Sequence, residues 1–235
     1  MTALVTGASR GIGKAIALEL ASLGYNLALV ARNAAALTET IAALPEACGK
    51  AVAIPADLAQ EDSYEAVVAE TVAELGGIDI LVNCAGVSQA GSFTEVTTEQ
   101  WDRIFAVNAK APFFLCKAAL PYLKQSPKPI VINISSVVGL KGYINQSAYA
   151  SSKHALAGFT KVFAKEGQPF GIRVHLISPG GVATEMVKEM RPDIDADELI
   201  QPSEIAELVR FLVTREGKGT IDQLYIRRYS GLAFD

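Results

Sequence analysis

The stretch TGASRGIG, residues 6–13, decides the fold. It follows the apolar run ALV (residues 3–5) and opens a segment whose apolar residues have helical spacing. Gly7 suits a tight turn with positive φ, Gly11 lets backbone N–H groups approach a pyrophosphate, and Gly13 allows the helix to pack closely on the strand. The glycines are spaced GxxxGxG instead of the GxGxxG of other dinucleotide folds. A strand, a glycine-rich turn and a helix in this order predict a phosphate-binding unit, with a simple turn as the alternative.

Short apolar runs recur along the chain and alternate with segments of helical spacing. The runs after the first cover residues 26–31, 51–56, 78–83, 129–134 and 172–177. Strands that are apolar on both faces, and that alternate with helices, are typical of a parallel sheet covered by helices on both sides. We therefore predict an α/β fold with a doubly wound, Rossmann-type parallel sheet. Ligands bind beyond the carboxyl ends of the strands in such a fold, so the residues that follow each run are candidates for the site.

The chain shows no boundary between domains. Its 235 residues, half of them apolar, suffice for one buried core, and they contain no repeat, low-complexity tract or long linker. We predict a single domain over residues 1–235. The polar segment RPDIDADELIQPSE (191–204) indicates a mobile excursion, and residues from about 185 to 204 are predicted to form a lid over the substrate.

Composition and charge argue against several classes of partner. The net charge of −4 and the pI near 5.3 do not suit a surface for nucleic acid or anionic membranes, which needs clustered Lys and Arg. Cys48, Cys84 and Cys116 are widely spaced and form no CxxC pair, so we predict neither a disulfide framework nor a metal site. No signal-peptide pattern opens the chain, and no uncharged apolar run approaches the roughly 18 residues that span a bilayer. We expect a cytoplasmic protein that binds neither nucleic acid nor membrane.

Arginines stand near the expected position of an acidic residue after the second strand. A dinucleotide with a free 2′-hydroxyl is usually held by an Asp or Glu about 20 residues past the glycine turn. Here that stretch reads LVARN (29–33), with Arg32 near its end. With Arg10 in the glycine turn, two guanidiniums could hold a 2′-phosphate and favour NADPH over NADH by ~10²- to 10⁴-fold. We predict NADP(H) as the cofactor; the alternative is that both are solvated surface arginines.

Polar residues also follow the later strands, in an unusual joint order. In chain order they are Asp57, NCAG (83–86), Asn108, Ser135, Ser136, YASSK (149–153) and PGGVATEM (179–186). Each alone has an ordinary explanation as a turn or cap, and a Tyr four residues before a Lys can arise by chance. Their order along one chain is the stronger signal.

These motifs together resemble the short-chain dehydrogenase/reductase family, over residues 2 to about 187. The resemblance rests on TGxxxGxG, NxAG, a helical Asn, a Ser 13 residues before the Tyr of YxxxK, and a PG turn followed by Thr. It implies a catalytic tetrad of Asn108, Ser136, Tyr149 and Lys153. It also implies that, besides Tyr149 and Lys153, the cofactor is bound by Gly7, Ser9, Arg10, Gly11, Ile12, Gly13, Arg32, Asp57, Leu58, Asn83, Ala85, Gly86, Gly180, Val182 and Thr184.

The chain departs from the family pattern in two places. Cys84 stands where the more usual NNAG has its second Asn. The C-terminal strand IDQLYIRRYSG (221–231) lacks the VDGG ending common among oxoacyl reductases, which affects the substrate wall and the usual tetramer contacts. The tail is weakly similar to short sepiapterin-reductase-like members. A homo-oligomer, dimer or tetramer, is the expectation from the family.

The chemistry of the tetrad can be worked out from the residue types. In carbonyl reduction, hydride adds to the carbon and the oxygen must be hydrogen-bonded and protonated, which Ser136 and Tyr149 can do. On a helix, residues i and i+4 share a face, so the Lys153 ammonium is predicted to lower the pKa of the phenol. The resemblance adds that the lysine binds the nicotinamide ribose and that Asn108 anchors a proton-relaying water.

The sequence thus predicts an NADPH-dependent reductase of a small or medium organic carbonyl, acting reversibly. A 3-oxoacyl thioester reductase and a sepiapterin-like reductase are alternatives, and a non-catalytic NADP-binding regulator is a rival of another class. Residues expected to face the substrate are Phe93, Tyr143 and Gln146, with Met186, Val187 and Met190 as an apolar wall. Core packing of a small helix is the alternative for the last three.

Overall fold

The strands form one parallel sheet. The computed structural model describes residues 1–88, 91–190 and 193–231. Within them seven strands pair in parallel in the order β3-β2-β1-β4-β5-β6-β7. Their bounds are β1 Thr2–Thr6, β2 Asn26–Ala31, β3 Ala51–Pro55, β4 Ile80–Asn83, β5 Ile130–Ile134, β6 Arg173–Pro179 and β7 Gln223–Ile226.

Eight α-helices in the described residues connect and flank these strands. They are α1 Gly11–Ser22, α2 Ala34–Ala42, α3 Ser63–Leu75, α4 Thr98–Phe105, α5 Ala111–Leu123, α6 Ser147–Gly167, α7 Glu185–Met190 and α8 Pro202–Thr214. The prediction of a doubly wound α/β fold with helices on both faces is confirmed.

Alternate residues of β1 enter two separate hydrophobic cores. Ala3 and Val5 lie in the core that contains residues of α1 and α8, including Leu20. Leu4 lies in the opposite core, with residues of α3 and α5 such as Leu115. Successive side chains of a strand point to opposite faces, so a strand with helices on both sides must be apolar throughout. This is why the runs seen in the sequence are continuous and do not alternate.

The site lies where the strand order reverses. β1 pairs with β2 on one side and with β4 on the other, so the connections after β1 and β4 leave the sheet in different directions. Such a switch point opens a crevice at the carboxyl ends of the strands. The glycine turn that follows β1 and the NCAG turn that follows β4 therefore become neighbours.

A long helical unit runs from α4 through a π-helical turn, Ala106–Lys110, into α5. By length and composition alone, Thr98–Leu123 could cross a membrane, but 44% of its most apolar window is buried inside the protein. Ala111, Leu115 and Ala119 of α5 belong to the core beneath the sheet. Its apolar character is thus accounted for by core packing.

Candidate active site

The glycine turn is as tight as the sequence predicts. Gly7 and Gly11 have φ of +69° and +55°, a region that favours glycine. A Cβ on Gly7 would lie 2.8 Å from the Cα of Ala85, and a Cβ on Gly13 would overlap the carbonyl oxygen of Gly7. Helix α1 begins at Gly11, so its free N–H groups face the turn.

Thr6 joins the glycine turn to the turn after β4. Its hydroxyl oxygen accepts hydrogen bonds from the backbone N–H of Cys84 at 3.0 Å and of Ala85 at 3.1 Å. The same hydroxyl donates to the carbonyl of Val82 at 3.3 Å. Thr6 is not among the site residues predicted from the sequence, although its place at the end of β1, before the glycines, could have indicated it.

A cleft of about 890 Å³ runs across the switch point. Most of the residues predicted to bind the cofactor line it: Gly7, Ser9, Arg10, Gly11, Ile12, Gly13, Arg32, Asp57, Leu58, Ala85, Gly86, Tyr149, Lys153 and Thr184. Its volume is within the range of cofactor sites, and side-chain-free glycines and a helix N-terminus form its base. These residues fit a dinucleotide.

Two predicted arginines line the same cleft and are exposed. Arg10 forms an ion pair with Glu185, the first residue of α7. Arg32 follows β2, and the next residue, Asn33, caps α2 by accepting a hydrogen bond from the N–H of Ala36 at 3.1 Å. No acidic side chain stands between the end of β2 and the start of α2. The cleft thus presents two guanidiniums at the end where the ribose was predicted.

The side chain of Asn83 does not line the cleft, contrary to its predicted place among the cofactor contacts. It is buried and donates to Asn133 Oδ1 at 2.8 Å and to Cys116 Sγ at 3.5 Å. Asn133 in turn donates to Thr160 Oγ1 at 2.9 Å. A buried amide needs partners, and here they tie β4 to β5 and α5, and through Asn133 to α6. Asn83 holds the sheet together beneath the site.

Tyr149, Lys153 and Ser136 meet at the carboxyl end of β5. The Ser136 hydroxyl is hydrogen-bonded to the phenol of Tyr149. Lys153 lies one turn further along α6 and donates to the carbonyl of Ile134 at 3.0 Å. Its Nζ is 5.8 Å from the centre of the Tyr149 ring. The sequence prediction that these three side chains share one site agrees with this geometry.

Asn108 lies in the π-helical turn, where its amide reaches two other segments. Its Nδ2 donates to the carbonyl of Val87 at 2.8 Å and to Ser152 Oγ at 3.0 Å, and its Oδ1 accepts from the N–H of Val87 at 2.9 Å. Ser152 donates to the carbonyl of Tyr149 at 2.7 Å. π-Turns are frequent at functional sites because they displace one side chain from the helical pattern. The side chain of Asn108 therefore positions the segment after β4 against α6; its relay of protons through a water stays a prediction.

A second, smaller cavity of about 190 Å³ adjoins the cleft, and we call it the substrate cavity. The residues that line both are Ile12, Ser135, Tyr149, Thr184 and Met186. The other predicted residues that line it are Ser136, Tyr143, Gln146, Gly180, Val182, Val187 and Met190. Phe93, which was expected to face the substrate, lines neither cavity and is 78% exposed.

Comparison with known proteins decides the family. The family model described as short chain dehydrogenase matches residues 1–195. The chain belongs to the short-chain dehydrogenase/reductase family. It is 34% identical over 218 residues to a 3-oxoacyl-[acyl-carrier-protein] reductase of Synechocystis sp., covering 90% of this chain and 88% of that one. It is 36% identical over 214 residues to carbonyl reductase family member 4 of Xenopus laevis, covering 89% of each.

A solved structure is similar to this short-chain dehydrogenase/reductase over nearly its whole chain. An alcohol dehydrogenase from the archaeon Thermococcus sibiricus, complexed with 5-hydroxy-NADP, superposes with a TM-score of 0.91. The two chains are 28% identical, and the match covers 99% of this chain and 98% of the other.

Burial shifts the pKa values of Tyr149 and Lys153 in this short-chain dehydrogenase/reductase. It raises the pKa of Tyr149 to about 12, although the hydrogen bond with Ser136 acts in the opposite direction. It lowers the pKa of Lys153 to about 8, because a desolvated ammonium is disfavoured. The expectation that the pKa of the phenol is lowered is therefore wrong for the protein by itself: desolvation outweighs the hydrogen bond with Ser136.

The C-terminal tail of this short-chain dehydrogenase/reductase lines the substrate cavity, which the sequence analysis did not predict residue by residue. Tyr225, Arg227, Arg228 and Gly231 all contribute to the wall. Tyr225 lies in β7 and the other three follow it, at the same edge of the sheet as the predicted tetrad. The rule that ligands bind beyond the carboxyl ends of strands could have indicated them.

The described residues of this short-chain dehydrogenase/reductase do not indicate a metal site. Within residues 1–88, 91–190 and 193–231, no group of three or more His, Cys, Asp or Glu side chains is placed to hold a metal ion.

Arg103 also lines the cofactor cleft, although it was not predicted from the sequence. Its guanidinium lies 3.8 Å from the carboxylate of Asp57.

Proposed function

We propose that this protein is an NADPH-dependent reductase of a small organic carbonyl compound, working reversibly as an alcohol dehydrogenase. One observation carries the proposal: Tyr149 lies in the wall shared by the cofactor cleft and the substrate cavity, within reach of both Ser136 and Lys153. A proton donor at that junction can reach a carbonyl oxygen whose carbon faces the cofactor. We further propose a cytoplasmic homo-oligomer.

NADP(H) is the proposed cofactor because of the arginines in the cleft. Arg10 and Arg32 present charged donors, which suit a 2′-phosphate and have no equivalent use with a free hydroxyl. The archaeal alcohol dehydrogenase was solved with 5-hydroxy-NADP, which agrees with this choice. NADPH, when bound, supplies the hydride that reduces the carbonyl carbon.

The protein's own groups handle the substrate oxygen. The Ser136 hydroxyl, in the lining of the substrate cavity, can hydrogen-bond the carbonyl oxygen and hold it beside the phenol. Because the pKa of Tyr149 is about 12, the phenol keeps its proton at neutral pH and can donate it to the oxygen as negative charge develops there. Lys153, fixed by the carbonyl of Ile134, then faces the phenolate and stabilises it.

The segment from about 185 to 204 is proposed as the lid. Helix α7 supplies Met186, Val187 and Met190 to the substrate cavity, and Glu185 at its start pairs with Arg10 of the cofactor cleft. Residues 191 and 192 of this segment lie outside the described part of the chain. The segment therefore contacts both the substrate cavity and the cofactor cleft, as a lid that closes over both ligands must.

Reduction of a 3-oxoacyl thioester is the second candidate. It is favoured by the 34% identity to the 3-oxoacyl-[acyl-carrier-protein] reductase over 90% of this chain. A short substrate cavity could take the reactive end of such a substrate while the thioester carrier stays outside. The regulator hypothesis has less support, because all four tetrad positions are filled and mutually positioned.

A substrate screen tests the proposal. NADPH oxidation is followed against short ketones, aldehydes, diketones and 3-oxoacyl thioesters, with NADH as the matched cofactor. Turnover with NADPH on a small carbonyl supports the proposed reductase, and turnover confined to thioesters supports the second candidate. Tight NADPH binding without turnover of any carbonyl would instead favour the regulator.

A further inference from the structure

The wall of the substrate cavity is cationic on the side formed by the C-terminal tail. Arg227 and Arg228 line it, and no Asp or Glu is among the described residues of the lining. Lys141 lines it as well, with its ammonium 5.8 Å from the centre of the Tyr225 ring. The remaining lining is largely apolar, with methionine and valine side chains. A charge in such a surrounding interacts more strongly than in water.

Neighbouring groups hold the two guanidiniums in place. Arg227 Nη1 donates to the carbonyls of Arg228, Tyr229 and Gly231 at 2.8–3.0 Å, which fixes it within the terminal turn. Arg228 Nη1 donates to the Glu198 carboxylate at 3.0 Å. Each guanidinium has five N–H donors in a planar fork, so these contacts leave donors for a ligand.

The side chain of Arg228 lies beside Gly181, which also lines the cavity. A Cβ at this glycine would lie 3.4 Å from Cδ and 3.7 Å from Nε of Arg228. The arginine stem thus lies against the turn after β6, beside Gly180 and Val182 of the same cavity. The side chain is only 22% exposed, so its charge acts in a partly desolvated place.

We infer that the substrate is a small carbonyl compound that carries an anionic group, with Arg227 and Arg228 as the residues that recognise the anion. The inference rests on the proposed reductase function. A carboxylate matches the planar fork of arginine in a bidentate pair. The cavity volume of about 190 Å³ is below the roughly 300 Å³ at the low end of ligand pockets, so the acid is short.

Glu198 allows a sharp test, because it opposes the charge of Arg228 without lining the cavity. If Arg228 serves the substrate, Arg228→Gln weakens the preference for an anion and Glu198→Gln strengthens it. If the ion pair merely fastens the tail to the segment before α8, both variants remove the same contact and change activity in the same direction.

The experiment measures kcat/KM for matched pairs with NADPH. The pairs are 3-oxobutanoate and its methyl ester, 4-oxopentanoate and its methyl ester, and dihydroxyacetone phosphate and dihydroxyacetone. We expect at least one anion to exceed its neutral counterpart about 10-fold or more, since a charged hydrogen bond contributes about 10- to 100-fold. The arms also separate a carboxylate from a phosphate as the recognised group.

The variants measure the same ratio, which cancels any general loss of folded enzyme. Arg228→Gln and Arg227→Gln should each lower the anion-to-neutral ratio about 10-fold or more, and Glu198→Gln should raise it. Arg210→Gln is the control: that arginine pairs with Glu19 on the surface, away from both cavities, and its loss should leave the ratio unchanged.

Two results overturn the inference in distinguishable ways. Reduction of the neutral member of every pair as well as, or better than, the anion refutes anion recognition and leaves the proposed reductase intact. The same holds if Arg228→Gln and Glu198→Gln leave the ratio unchanged or shift it in the same direction. Absence of NADPH oxidation with every charged and neutral carbonyl refutes the reductase, and the inference with it.

Discussion

Lys153 places its ammonium 5.8 Å from the centre of the Tyr149 ring, one helical turn away on the same face of α6. Both side chains are buried, and burial acts on them in opposite directions: it raises the pKa of the phenol to about 12 and lowers that of the ammonium to about 8. The phenol is therefore the group that keeps its proton at neutral pH. The lysine is the group whose charge changes within a few pH units of neutrality.

Activity should consequently depend on pH through Lys153. With a pKa of about 8, its ammonium is present below that pH and is lost above it, while Tyr149 still holds its proton. We expect the kcat/KM of carbonyl reduction to fall as pH rises through about 8. In Lys153→Arg, whose guanidinium stays charged, the residual activity should lack this decline. A wild-type profile that stays flat to pH 10 would contradict the assignment.

The same burial should cost stability. In the unfolded chain Lys153 recovers a pKa near 10.5, so the penalty of burying its charge is fully present below pH 8 and disappears as pH rises from about 8 to 10.5. The difference corresponds to on the order of 3 kcal/mol, less about 1 kcal/mol for the lost bond to Ile134. Lys153→Met should thus unfold at higher urea concentration than wild type at pH 7, with a gain that shrinks toward pH 10. If Lys153→Met is less stable than wild type at pH 7, the contacts of the buried ammonium must outweigh the cost of its desolvation.

Cofactor preference should reside in the two arginines of the cleft. Arg32→Gln and Arg10→Gln should each lower the kcat/KM for NADPH about 10- to 100-fold and leave that for NADH nearly unchanged, because only the 2′-phosphate loses a charged partner. Arg215→Gln, a surface arginine that donates to the carbonyl of Gly219, is the matched control. Equal losses with both cofactors would place the arginines elsewhere on the dinucleotide.

The glycine turn should tolerate no side chain at Gly13. A Cβ there overlaps the carbonyl oxygen of Gly7, and backbone cannot move aside as a flexible side chain can. We expect Gly13→Ala to lose measurable NADPH binding and several kcal/mol of stability, of the order seen for overpacking. Gly158→Ala is the control, since that helical glycine has open space and alanine favours a helix by about 1 kcal/mol. Normal binding by Gly13→Ala would mean that the turn is looser than described.

Local sequence signals were sufficient for much of the fold. The run at residues 26–31 corresponds to β2 residue for residue, because the buried part of a strand with helices on both faces, here Leu27 to Val30, must be apolar. The glycine turn could also be predicted from the sequence, because positive φ and close backbone contact at Gly7 leave few other residue types possible. Where one local physical requirement determines the residue type, the local structure can be predicted from the sequence alone.

Features that depend on tertiary structure could not be predicted from the sequence. Asn83 has the residue type of a cofactor contact, but its amide turns to Asn133, a partner 50 residues away. Asn108 lies in a π-turn, and its amide donates to Val87 and Ser152, which are distant in sequence. Burial of Tyr149 reverses the pKa shift expected from its neighbour Lys153, because desolvation is a property of the whole site. The arginines of the tail reach the cavity only through the pairing of β7 with β6.

The most direct test of the central claim compares wild type with Tyr149→Phe in NADPH oxidation against a panel of small carbonyl compounds. Wild type should turn over at least one of them, and the variant should lose ~10²- to 10⁴-fold in kcat while its dissociation constant for NADPH stays the same, because only the proton donor is removed. Near-normal kcat in Tyr149→Phe would contradict the role given to this phenol at the junction of the two cavities.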